Sequence, residues 1–418
     1  MILKLARKSL WNRRGTAILT LVSLAISVAL ILGINHLRHQ AKQSFTSTIS
    51  GTDLIVGARS GQANLLLYSV FRIGNATNNI TWESYEAIKK SRDIEWTIPL
   101  SLGDSHRGFR VLGTDHNYFD HYRYGDRRAL AFSAGGPFSR IYDTVLGAQV
   151  ARELGYTIGQ EIVIAHGLGD VSFSMHDDKP FTVVGILEPT GTPVDRTVHV
   201  RLEGIEAIHL GWQHGARMPG RGVSAEEALQ RELEPEAITA FLVGLKSRMA
   251  TFRLQRAINE YRKEALTAIL PGVALAELWD VLGMVENMLI VVAFLVLLAT
   301  LVGMTTTLLS SMKERQRELA ILRAVGAHAG YLFALIEIEA LLLAAAGVAF
   351  GILLLSLSLF MLQPWLAAEY GLFISANPLN SEALLITAGV MLLAALLSLS
   401  PAMVAYRRAL ADGLSVRL

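Results

Sequence analysis

Four long apolar runs, at residues 16–34, 288–309, 331–362 and 383–402, constrain this chain more than any other feature of its sequence. A hydrocarbon core about 30 Å thick takes roughly 20 helical residues to cross, and every run is about that length or longer. They predict transmembrane helices at 16–37, 288–310, 329–362 and 383–403. Composition agrees once it is divided: the chain is 52% apolar and 18% charged on average, but most of its charge lies in the interval 38–287 between the first two runs. The net charge of +2, with no basic stripe interleaved with aromatics, excludes a nucleic-acid surface. Cysteine is absent, which excludes disulfide staples and cysteine-ligated zinc or iron–sulfur centres.

Charge also orients the spans. Lys4, Arg7, Lys8, Arg13 and Arg14 precede the first; Lys313, Arg315, Arg317 and Arg323 lie between the second and third; Arg407, Arg408 and Arg417 follow the fourth. Short loops rich in Lys and Arg stay in the cytoplasm. The N-terminal segment 1–15, the connection 311–328 and the tail 404–418 are therefore expected inside. The connection 363–382, which has no Lys or Arg, is expected outside together with 38–287. A basic region before an apolar run is also the grammar of a signal peptide. Here the run is long and no small-x-small cleavage site follows it, which favours an uncleaved anchor. Ile2, Leu3, Leu5, Ala6 and Leu10 alternate with Lys4, Arg7 and Lys8 as in a helix lying in the headgroup plane.

About 240 residues outside the membrane can bury a core of their own. Strand-like runs at 53–56, 108–112, 161–165, 181–187, 197–201 and 238–245 are punctuated by Gly and Pro, and helical patterns intervene at 82–90, 147–154, 204–208 and 249–268. The expected fold class is membrane α-helical with four transmembrane helices, plus an α+β domain of two lobes inserted between the first and second. A stalk-proximal lobe is expected from residues near 50–130 and 237–275, a distal β-rich lobe from about 131–215, and an exposed linker at 211–235. Residues 38–50 carry no breaker, and 274–287 place Leu275, Leu278, Val281, Leu282 and Val285 at helical spacing, so both predict stalk helices continuous with the first two spans.

The segment after the second span reads Glu314-Arg315-Gln316-Arg317-Glu318-Leu319-Ala320-Ile321-Leu322-Arg323-Ala324-Val325-Gly326-Ala327. Leu319, Leu322 and Val325 share a helical stripe set among mixed charges, as in a helix lying against a protein surface; a solvated loop held inside by positive charge is the plainer alternative. The segment resembles the cytoplasmic E-R-x-R-E-[IL]-x-I-x-R-A-x-G-A motif of the MacB/FtsX permeases, the type VII ABC permeases that include MacB, LolC/LolE and FtsX-like proteins. The order of one span, large domain, three spans and basic tail is similar as well. So are Val145-Leu146-Gly147, the run 154–160, Phe181–Leu187 and Gly191-Thr192-Pro193-Val194-Asp195.

That resemblance implies a permease of the bacterial inner membrane with its large domain in the periplasm. It implies a homodimer, or a heterodimer with a second permease, paired with a cytoplasmic ABC ATPase that binds ATP and Mg. The chain has no G-x-x-x-x-G-K-[ST] loop, so the ATPase is expected to be a separate polypeptide, and no cofactor is expected on this chain. Glu314, Arg315, Arg317, Glu318, Leu319, Leu322, Arg323 and Gly326 are the implied ATPase-coupling residues, with Gly326 ending the helix. The implied function is export or extraction of a substrate from the periplasmic side, with a periplasmic partner or lipoprotein and membrane lipid in contact. The alternative is transmembrane signalling to an envelope partner such as a peptidoglycan hydrolase.

Other residues invite chemistry. Gly347 and Gly351 form a G-x-x-x-G that permits close helix approach, and Ser23 and Ser27 offer a second small-residue face. Glu337 and Glu339 lie near the start of the third span, where structural pairing with Arg323 or the N-terminal basic residues competes with a proton relay. His166, His176, Asp177, Asp178, His199, His209 and His214 crowd the distal lobe. No paired-histidine metal spacing occurs, and turn-rich polar segments gather His and Asp without ligating anything, so no metal site is expected; His166, His176 and Asp177 are the residues a weak metal alternative would use. Neither a nucleophile elbow nor a zincin motif is present, and no catalytic residue is expected.

Overall fold

The computed structural model describes residues 2–167, 177–210, 212–213, 216–217, 223–231, 233–314, 316–370, 375 and 377–411. The helices used below are α1 (Ile2–Asn12), α2 (Arg14–Thr48), α3 (Trp82–Lys89), α4 (Ala148–Leu154), α5 (Leu202–His209), α6 (Thr251–Asn259), α7 (Pro271–Glu314), α8 (Gln316–Ala324), α9 (Ala329–Tyr370) and α10 (Ser381–Ala411). The strands are β1 (Leu54–Ala58), β2 (Ile94–His106), β3 (Phe109–Thr114), β4 (Phe132–Gly135), β5 (Asp143–Leu146), β6 (Glu161–Ile162), β7 (Ala165–His166), β8 (Phe181–Leu187), β9 (Thr197–Arg201), β10 (Ala240–Leu245) and β11 (Leu266–Ile269). The chain divides into a membrane unit (Met1–Gln40, Leu282–Trp365, Ile374–Leu418) and an inserted unit (Ala41–Val281, Leu366–Phe373).

In the membrane unit, four helical stretches are long and apolar enough to cross a bilayer: Arg14–Lys42, Pro271–Met312, Ala329–Gln363 and Ser381–Arg407. The chain is a multi-pass membrane protein. Side chains exposed along them, such as Ile18, Leu19, Val292, Leu295, Leu353 and Leu392, are apolar, as lipid contact demands. Small residues let the helices approach. Gly347 and Gly351 of α9 meet Leu24, Ala25 and Val28 of α2, so this G-x-x-x-G face is used inside the chain. Ser27 of the second small-residue face meets Thr300 of α7, hydroxyl to hydroxyl, at 2.8 Å.

In the inserted unit, an eleven-stranded mixed sheet has the order β11-β1-β10-β2-β3-β9-β5-β8-β4, with β7 also pairing β2 and β6 pairing β8. Every residue of β1 and β10 is buried, which explains their unbroken apolar sequences; β8 alternates between buried and half-buried positions, as a strand with one open face does. The α+β class is as expected, but the boundary between lobes is not where the sequence placed it. β2 pairs β10 through Ile94–Leu100 and β3 through Ser101–His106, so one strand serves both halves and β3 joins the distal strands. β2 itself was not legible because it contains Pro99 and Gly103-Asp104. Pro99 lies in the stretch where β10 is the one paired neighbour, and there a missing N–H costs least.

The helix expected over 249–268 is a second correction. α6 stops at Asn259 and the chain returns as β11, because the apolar spacing of Leu254 and Ile258, both buried, does not continue. β11 is an edge strand, and edges present unpaired backbone groups. Asn259 Oδ1 accepts from the Ala268 N–H at 2.7 Å and Gln255 Nε2 donates to the Ala268 carbonyl at 3.1 Å, so the helix end closes that edge.

Candidate functional site

Between the second and third spans, α7 ends at Glu314 and α8 covers Gln316–Ala324. Arg315 lies outside the described residues, and so do the side chains of Glu314, Arg317, Glu318 and Leu319. α8 closes with the Ala327 N–H bonded to the Leu322 carbonyl at 3.0 Å and the Gly326 N–H to the Arg323 carbonyl at 2.9 Å. That bond pair is a Schellman closure, which needs a left-handed residue, and Gly326 supplies it at φ +100. Leu322 and Arg323 are half-buried, whereas Ile321 and Val325 are 64% and 83% exposed. Four residues apart, these two face the same way. The sequence stripe therefore divides: Leu322 turns inward, Val325 outward, and Ile321, absent from the expected stripe, completes the open apolar pair.

Glu337 and Glu339 of α9 have structural partners. Glu339 is fully buried and takes Arg13 Nη2 at 3.0 Å; the same guanidinium donates to Ser9 Oγ at 3.3 Å. Glu337 accepts from Ser398 Oγ of α10 at 2.9 Å. A buried carboxylate in a span is retained where a cation meets it, and the N-terminal basic cluster provides one through Arg13.

The described histidines of the distal lobe fall into two environments. His199 is fully buried against Tyr118 and Phe119; burial, with Arg72 nearby, holds its imidazole down to about 3, and it belongs to the core. Asp177 is exposed and joins no metal-ligating cluster among the described residues, and His176 and His214 lie outside the described residues. His166 instead meets two residues that were not leading candidates. Its Nδ1 is 3.1 Å from Asp104 Oδ1 and 3.1 Å from His209 Nε2, and His209 Nε2 is 3.6 Å from the same Asp104 oxygen.

Local structure makes this convergence. Asp104 stands directly across from His166 in the β2–β7 register, so both side chains leave one face. Between the pairs Leu102–Leu112 and Ser105–Arg110, Gly103 and Asp104 oppose Val111 alone. This β-bulge re-aims the aspartate. His209 closes α5, whose end is tied down by Lys179 Nζ donating to the Ala207 carbonyl at 2.8 Å. Burial pushes the Asp104 carboxyl up, the two imidazoles outweigh it, and the group is held at about 2; the hydrogen bond with Asp104 pushes His166 up. Glu206, one turn before His209, is driven up to about 7 by burial. The signal for Asp104 was weak in sequence because it lies 62 residues from His166, inside what reads as a turn.

The MacB-like periplasmic core domain family matches residues 17–260, more than half of the chain, and the FtsX-like permease C-terminal family matches residues 290–410. Among solved structures, the periplasmic region of MacB from Actinobacillus actinomycetemcomitans is 10% identical, with 55% of this chain and 94% of that one covered, at a TM-score of 0.35. The extracellular domain of the noncanonic ABC-type transporter YknZ from Gram-positive bacteria is 13% identical, with 52% and 99% covered, at a TM-score of 0.31. No curated protein matches the chain.

Proposed function

This chain belongs to the MacB/FtsX-type ABC permease family, and we propose that it is the membrane subunit that couples hydrolysis by a separate ATPase to movement of its inserted domain. The ATPase holds ATP and its magnesium in the cytoplasm. The permease works in the bacterial inner membrane as a dimer, with residues 38–287 outside, and exports or extracts a substrate from that side. The observation that carries this reading is α8: a short helix between two spans, closed by Gly326, that leaves Ile321 and Val325 open beside Arg323. A loop serving only as a connection has no reason to expose such a pair, whereas a docking helix needs apolar anchors. Two long helices, α2 and α7, contribute to both units of the chain, which supports motion passed along helices.

The test is Ile321→Asp, Val325→Asp and Leu322→Asp, singly, in the full chain co-expressed with its ATPase. A charge at an interface that excludes water costs about 2 kcal/mol or more. The first two variants are expected to insert normally, lose co-purification of the ATPase by tenfold or more, and lose permease-stimulated hydrolysis. Unchanged ATPase binding, stimulation and physiological activity in both would reduce α8 to a solvated connection.

A further inference from the structure

We propose that Asp104, His166 and His209 form a binding site for a divalent transition-metal ion of the zinc class. This assignment is independent of the permease reading, since it rests on three side chains of the inserted unit alone.

Three ligand-bearing atoms, Asp104 Oδ1, His166 Nδ1 and His209 Nε2, make a triangle with edges of 3.1, 3.1 and 3.6 Å. Zinc–nitrogen and zinc–carboxylate bonds of about 2.0–2.1 Å in a tetrahedron place neighbouring ligand atoms about 3.3–3.4 Å apart. The observed edges scatter around that value, so an ion on the triangle's axis reaches all three without a large rearrangement. Protons do not serve the same triangle as well. Each imidazole nitrogen carries at most one; if both carry one toward the carboxylate, the two N–H groups confront each other, and if His166 alone donates to the carboxylate, a lone pair of His209 faces that oxygen across the 3.6 Å edge. A single cation satisfies every edge.

The surroundings favour an ion that can enter and stay. Asp104 is only 5% exposed, and burying a carboxylate is costly unless a cation or hydrogen-bond donors meet it. His166 and His209 are 41% and 28% exposed, so the triangle can be reached from solvent. Two nitrogens and one oxygen select zinc, copper or cobalt over magnesium and calcium, which prefer oxygen. The ion would join β2, the strand shared by both halves of the sheet, to β7 and to the end of α5, which Lys179 already fixes. It would staple a domain that has no cysteine with which to form disulfides.

The full chain, purified in detergent on a histidine-free tag and stripped with chelator, is titrated with zinc against a chromophoric competitor. One high-affinity zinc per chain is expected, insensitive to millimolar magnesium or calcium. Asp104→Asn, His166→Ala and His209→Gln should each weaken it at least tenfold, while His328→Ala leaves it unchanged. Cobalt(II) added to the unmodified chain should give the intense visible bands of a tetrahedral site, a readout that does not depend on any variant folding. Absence of stoichiometric zinc binding, a cobalt spectrum of the hexaaqua ion, or wild-type affinity in well-folded Asp104→Asn and His209→Gln would each overturn the assignment.

Discussion

Adding one methyl group at Gly351 should loosen the membrane unit, although glycine-to-alanine changes ordinarily strengthen a helix. A Cβ there would lie 2.8 Å from the Ala25 carbonyl oxygen and 2.9 Å from both Cβ and Cγ1 of Val28, where carbon contacts favour about 3.5–4.0 Å. The carbonyl and the Val28 Cβ are fixed to the α2 backbone, so no side-chain rotation relieves them and the helices must separate by roughly 1 Å. Overpacking of this kind costs about 1–3 kcal/mol. At Gly347 the nearest atoms are Leu24 Cδ2, Cγ and Cβ at 2.6, 2.7 and 3.0 Å; part of that clash can rotate away, and a smaller loss is expected. Gly303 and Gly389, also in spans, have nothing within 4 Å of the added atom. Alanine at those two sites gains the same intrinsic helix preference, about 1 kcal/mol, without a clash, so the difference between Gly351→Ala and Gly303→Ala isolates packing. Unfolding of the detergent-solubilised chain, by SDS titration or by heat with size-exclusion readout, measures it. A Gly351→Ala protein as stable as Gly303→Ala would refute the close approach of α9 to α2.

Other expectations test separate parts of the molecule. Arg13→Gln should cost about 3–5 kcal/mol by removing the cation against which Glu339 is buried, and pairing it with Glu339→Gln should recover part of that loss in the same unfolding assay. Burial pushes the Asp115 carboxyl up from 3.8 to about 7, and its Oδ1 has no hydrogen-bond partner among the described residues. The folded state therefore holds a proton that the unfolded chain releases, and stability falls as pH rises from about 4 to 7. Asp115→Asn should raise the unfolding midpoint at pH 8 and not at pH 4; an equal gain at both would separate the effect from ionisation. Gly326→Val, at φ +100 with open space around it, should fray α8 and reproduce the ATPase uncoupling of Ile321→Asp, and wild-type coupling would count against the Schellman closure. Cysteines placed at Gly167 and Lys313 in this cysteine-free chain should react with an impermeant thiol reagent in spheroplasts at Gly167 alone; labelling at Lys313 alone would invert the topology.

Local physics made the spans legible: length and apolarity are set by the bilayer and need no tertiary partner, so four helices could be read directly from 16–37, 288–310, 329–362 and 383–403. The same holds for β8 and β9, whose bounds follow from branched residues between turn signals, and for Gly326, whose place after Ala324 in a helical segment marks a C-terminal closure. Sequence also identified Glu339 as a group needing a partner. What it could not determine was which distant groups meet. β2 was hidden because a proline and a Gly-Asp pair suit a strand that changes neighbours, and that change is a property of the sheet. The sequence 249–268 continued as a helix on paper because nothing local announced that an edge strand needed Asn259. Gly347 and Gly351 signalled a close contact without saying that α2 fills it. The distal histidines show the limit most clearly: His166 stood in view beside His176 and Asp177, but its companions, Asp104 and His209, come from a bulged strand and a helix end. Those residues are 62 and 43 positions away in the chain, and only strand register and helix packing bring their ligand atoms within 3.6 Å of one another.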